Sequence, residues 1–260
     1  MSFPGSPHSS RSPLRLIIAV AVLAWIAIRW LGSDGSDPAG GDSSGEPAGP
    51  YVSEVDEGLG IAVVIVLDNS GSMERPAAGD TEPKFQVARR SIEEMLAVTD
   101  SFSALNPELP VKVGLFWFSG NVRRVLPIEL YDPARVTEAV SQIPGPDGAT
   151  AIGTAMHAAR EELYRSGVFR KHMVVITDGE NTDGPSPSAV AREIFRYSEG
   201  SVQLHFVALD TDPEKFGFLS GVDGTLLAAS NADLLRSRLD QLYRTGILAE
   251  SMEGVEPPIR

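Results

Sequence analysis

The run Asp68-Asn69-Ser70-Gly71-Ser72 places side-chain oxygens on three alternate residues, with Gly71 free to allow a tight turn. Carboxylates and hydroxyls are hard donors that suit magnesium or manganese and do not suit soft metals. Such a run can also do no more than cap a following helix. Two further segments supply partners. Asp178-Gly179 closes the apolar run Met173–Thr177, and Gly148-Ala149-Thr150 stands just before a helical segment. Asp68, Ser70, Ser72, Thr150 and Asp178 could therefore surround one divalent ion, Mg2+ or Mn2+. Other chemistries lack their residues. There is no G-x-S-x-G turn, no usable Ser-His-Asp set and no phosphate-cradling Gly-rich loop. A phosphoryl-accepting Asp68 would want a second acid two residues on, where Ser70 stands. With no cysteine, disulfides and thiolate zinc sites are excluded. The chain is expected not to be an enzyme, a metal-dependent hydrolase being the rival reading.

Bringing these segments together requires a particular frame. Ile61–Leu67 is a continuous β-branched run, the pattern of a strand buried on both faces. Further strands are expected at Val111–Ser119, Val122–Leu130 (an edge strand, limited by Pro127), Met173–Thr177, Val202–Leu209 and Gly224–Ala228. Helices are expected at Glu82–Val98, Pro133–Ile143, Ala151–Arg165, Ser188–Tyr197 and Ala232–Arg244. The first carries an apolar stripe of Phe85, Ala88, Ile92, Met95 and Leu96, and Asn231 caps the last. Strands alternating with helices predict an α/β, doubly wound, mostly parallel six-stranded sheet with helices on both faces. In such a sheet ligands bind beyond the carboxyl ends of the strands, where Asp68 and Asp178 both fall.

These five residues, in this order and on these elements, resemble the metal-ion-dependent adhesion site of the von Willebrand factor A family, over residues 58–245. The resemblance implies a Rossmann-like sheet of order 3-2-1-4-5-6. It also implies that Ser70, Ser72 and Thr150 touch the metal directly, while Asp68 and Asp178 act through bound water. Neutral hydroxyls and water-separated acids would leave the ion electron-poor, so that an Asp or Glu of a protein partner completes its octahedral shell. Around this site Glu180, Asn181 and Asp183 could shape the rim, hold a second ion or form only a solvated turn. Met73, Glu74 and Arg75 could be rim or first-turn residues. His157, His172 and Trp117 are read as structural.

The remainder of the chain bears on location. Leu16–Ile28 is uninterruptedly apolar, and residues 14–31 make eighteen residues, about 27 Å of helix, if Arg15 and Arg29 reach the interfaces. A cleaved signal peptide would need small residues where Arg29, Trp30 and Leu31 stand, so an uncleaved transmembrane signal anchor is expected after a short basic segment, 1–13. Residues 32–57, rich in Gly, Ser, Asp and Pro, form a flexible linker, and 246–260 a tail. Arg11 and Arg15 before the span place the acidic body on the extracytoplasmic side. Residues 1–31 carry +3 of the net −13, leaving −16 on the rest, which argues against nucleic acid as partner. An alternative function is accessory service to an AAA-type ATPase of the MoxR or chelatase kind, which an outward-facing domain could not reach.

Overall fold

A computed structural model describes residues 57–250. The apolar run that opens the domain forms β1 (Gly58–Asp68), whose residues from Ile61 to Asp68 are all buried. Its side chains alternate between two cores. Ile61, Val63, Ile65 and Leu67 face one layer, and Ala62, Val64 and Val66 face the other. Because both faces are covered, no polar alternation survives in the strand.

β1 pairs in parallel with β2 (Val111–Phe118) on one side and β4 (Val168–Thr177) on the other. β3 (Val122–Leu130) lies antiparallel at one edge. β5 (Val202–Leu209) and β6 (Thr225–Ala229) complete the sheet in parallel, giving the order β3-β2-β1-β4-β5-β6. The expected sheet is the observed one. The edge β3 runs through irregular register opposite β2, and Pro127 falls inside that irregularity, where a missing N–H costs no ladder bond.

Three helices cover the first core layer: α1 (Lys84–Leu105), α2 (Pro133–Ser141) and, near the carboxyl terminus, α5 (Ala232–Gln241). The opposite layer is covered by α3 (Ile152–Tyr164), α4 (Pro187–Tyr197) and a short 3-10 segment, Pro213–Val222. Asn231 caps α5 as expected, its side chain accepting from the Leu234 N–H at 3.0 Å. Pro83 precedes α1 as its cap residue rather than lying within its first turn.

Several boundaries differ from expectation. α1 runs on to Leu105, and β4 begins five residues early, at Val168. Residues 246–250 are not tail: α5 continues through a wider, π-type turn, Leu242–Leu248, that buries Tyr243, Ile247 and Leu248 against the sheet. The linker to residue 56, the apolar segment 14–31 and the tail from 251 lie outside the described residues. Among the described residues no helix is long and apolar enough to cross a membrane.

Candidate metal centre

β1 ends on Asp68, and the register places Leu67 beside Ile176 of β4, so Asp68 and Thr177 emerge side by side. Thr177 Oγ1 donates to Asp68 Oδ2 at 2.6 Å, and the Ser70 N–H donates to Asp68 Oδ1 at 2.8 Å. Both oxygens of this buried acid are thus held. A 3-10 turn, Gly71–Glu74, follows and carries Ser72 back toward β4. Ser70 Oγ and Ser72 Oγ lie 3.2 Å apart, and Ser72 Oγ donates to Asp178 Oδ1 at 2.6 Å. Asp178 comes directly after β4, as the spacing predicted.

Thr150 enters from the loop before α3. Main-chain bonds lace that loop to the first one: Asp147 N–H donates to Asn69 O at 3.0 Å, and Gly71 N–H to Gly148 O at 3.2 Å. Asn69 Nδ2 adds bonds to Pro144 O and Gly145 O. The fit to Asp178 is completed by Gly179. A Cβ built there would stand 3.9 Å from Thr150 Oγ1 and 4.0 Å from Ser72 Oγ, so both hydroxyls flank the same space. All five expected residues therefore converge at the carboxyl end of β1 and β4.

The donor set fits a hard divalent cation. It consists of three hydroxyls and two carboxylates, and among the described residues no cluster of three or more His, Asp or Glu offers a rival site. Burial holds the Asp68 carboxyl well above its ordinary range, at about 6, although bonds from Thr177 and Ser70 pull the other way. An acid made costly to ionise in this way gains most when a cation arrives.

Two residues after Asp178, Asn181 and Thr182, bond to the segment that carries Thr150. Asn181 Oδ1 accepts from Gly153 N–H at 3.2 Å, while Thr182 Oγ1 accepts from Thr150 N–H at 2.9 Å. Thr150 O in turn accepts from the N–H groups of Thr182 and Asp183. This loop clasps Thr150 in place. Glu180 reaches outward, pairing with Lys215 at 3.2 Å across a groove of about 410 Å³ lined by Ile152, Asn181, Phe216 and Phe218. Met73 is fully buried in the core, so it forms no rim, while Glu74 and Arg75 are exposed. Trp117 packs against the first core layer, and His172 stacks on His205 with Nδ1 and Nε2 3.1 Å apart.

One residue of the site was missed. Lys84, at the start of α1, is buried with its Nζ 2.7 Å from Asp178 Oδ2 and 3.7 Å from Asp210 Oδ2. Its spacing could have revealed it, since Lys84 lies four residues before Ala88 on the buried stripe of the helix.

The von Willebrand factor type A domain signature matches residues 62–219, more than half of the chain. The chain belongs to this family. A collagen alpha-1(XII) chain from Notophthalmus viridescens is 23% identical over 213 residues, which cover 75% of this chain and only a fifth of that protein, 20%. Among solved structures, an aerotolerance-related membrane protein from Bacteroides fragilis superposes with a TM-score of 0.55 at 23% identity, covering 72% of this chain and 100% of that one. The PilB minor pilin from Streptococcus sanguinis gives 0.59 at 15% identity, covering 76% and 64%. At these identities the likeness is one of fold. Domains of this family commonly mediate protein interactions.

Proposed function

We propose that this chain is a metal-dependent protein-binding module, tethered to a membrane by residues 14–31 with its domain on the extracytoplasmic side. The observation that carries the reading is the hydrogen-bonded chain Thr177–Asp68–Ser70–Ser72–Asp178, its Asp68–Ser70 link made by the Ser70 N–H, with Thr150 facing it across Gly179. Ser70, Ser72 and Thr150 would hold Mg2+ or Mn2+ directly, with Asp68 and Asp178 behind bound water. The ion would supply an open, electron-poor position for an incoming carboxylate. Asp178 cannot easily turn toward the ion, because its two oxygens are already engaged by Ser72 and Lys84. The groove beside Glu180 and Lys215 offers a neighbouring resting place for the polypeptide that delivers the partner's Asp or Glu.

Hydroxyl donors without a positioned base or nucleophile favour recognition over catalysis. The test is a thermal melt of the full chain in detergent, titrated with Mg2+. The parent is expected to gain several degrees at millimolar metal, and Asp68→Ala to lose that gain. A parent whose melting curve ignores the metal would defeat the reading. Turnover of a phosphate or peptide substrate that disappears in Asp178→Ala would replace it with a hydrolase.

A further inference from the structure

Lys84 occupies an unusual position for a cation. Its side chain is 6% exposed and that of Asp178 is 1% exposed. A buried ion pair is poor value for stability alone, because desolvating two charges consumes most of their attraction and an apolar pair of similar volume often serves as well. The pair is therefore better explained by what it does to the space in front of it.

Two effects follow from the geometry. Asp178 Oδ1 accepts from the Ser72 hydroxyl and Oδ2 is ion-paired with the Lys84 ammonium at 2.7 Å, so the carboxylate is held at a fixed distance from the hydroxyl cluster. The ammonium also alters the local charge. Asp68 and Asp178 alone would cancel a divalent ion, whereas with Lys84 the loaded site retains one positive charge. Asp210 stands further off, at 3.7 Å, with a side chain 28% exposed, so water screens it more strongly.

Resting on the metal-site reading above, we propose that Lys84 is a built-in counter-cation that weakens metal binding and strengthens the capture of a carboxylate by the bound metal. It is a positioning residue, acting through Asp178 and through charge. Loss of the ammonium should therefore move two affinities in opposite directions, which a merely structural lysine would not do.

The experiment uses the full chain in detergent, with Mn2+ as the metal probe and acetate as the carboxylate probe. Free Mn2+ is followed by electron paramagnetic resonance, and acetate binding to the loaded site by water-proton relaxation. Lys84→Met is expected to bind Mn2+ about tenfold tighter and acetate about tenfold more weakly, while Lys84→Arg keeps both near the parent. The metal-free Lys84→Met chain should also melt lower than the parent and recover more on adding Mn2+. Unchanged affinities in Lys84→Met, or both weakened together, would overturn the proposal. If that variant fails to fold, Asp210→Asn decides. Asp210 has φ 51°, a backbone that asparagine accepts, and removing its charge should weaken Mn2+ about threefold. An unaltered affinity there would equally overturn it. A parent that binds no Mn2+ fails the metal-site reading itself, a distinct result from a parent that binds while its Lys84 variants do not differ.

Discussion

Asp68 meets two opposing demands: its burial disfavours charge, and a cation would require it. Its folded-state pKa, at about 6, lies above the ordinary 3.8, so the metal-free native state holds a proton that the unfolded chain has already lost. The sign follows directly. Between pH 4 and 6 the native state binds more protons, so stability falls as pH rises through that window, by about 3 kcal/mol in all, and the full penalty is present above pH 6. Melts of the metal-free protein from pH 4.5 to 7 should show this decline in the parent and much less of it in Asp68→Asn. Metal affinity should move the other way, weakening below pH 6 as the proton competes. At this scale the sequence spoke plainly about the oxygens and only faintly about their counter-charge. Alternating Asp, Ser and Ser betray themselves by type and spacing, whereas Lys84 is marked only by its place four residues before Ala88 on the buried stripe, its residue type being one that ordinarily faces water.

The elements deliver these side chains through close approach. Where α3 begins, Gly153 faces the loop that follows Asp178, and a Cβ there would stand 2.0 Å from the Pro185 carbonyl oxygen, a backbone atom. Gly153→Ala must therefore push α3 away from that loop, breaking the Gly153–Asn181 bond and moving Thr150 relative to Asp178. We expect a loss of at least about 2 kcal/mol in chemical denaturation, with Mg2+ stabilisation lost as well. Strands of β-branched residues were legible because burial on both faces leaves a continuous apolar run. The start of β4 was not, since Lys171 and His172 interrupt that run. Both are buried all the same, Lys171 paired with Glu57 at 2.6 Å and His172 stacked on His205. The 3-10 segment Pro213–Val222 escaped notice for another reason: a ten-residue stretch with a kink at Phe216 has no helical period to read.

At the scale of the whole molecule, the final helix closes the first core layer through Tyr243, whose hydroxyl lies 2.6 Å from Thr99 Oγ1 of α1, both groups fully buried. Tyr243→Phe leaves the Thr99 hydroxyl without this partner and should cost about 1–2 kcal/mol in urea unfolding, with Mn2+ affinity unchanged. A shift in metal affinity would mean that the two ends of the domain are coupled. The Ala232 N–H, bonded to Asp80 Oδ2 at 2.8 Å, is the contact through which such coupling would run. The adjacency of β1 and β4 also sets an order of events. Asp68 and Thr177 are 109 residues apart in the chain and meet only when β4 docks beside β1. Until then the oxygens of the site are scattered along an unfinished polypeptide, and no ion can find them together. On the proposed reading, metal uptake in refolding should therefore trail sheet closure, so that a newly made chain would capture a partner only after its core has formed.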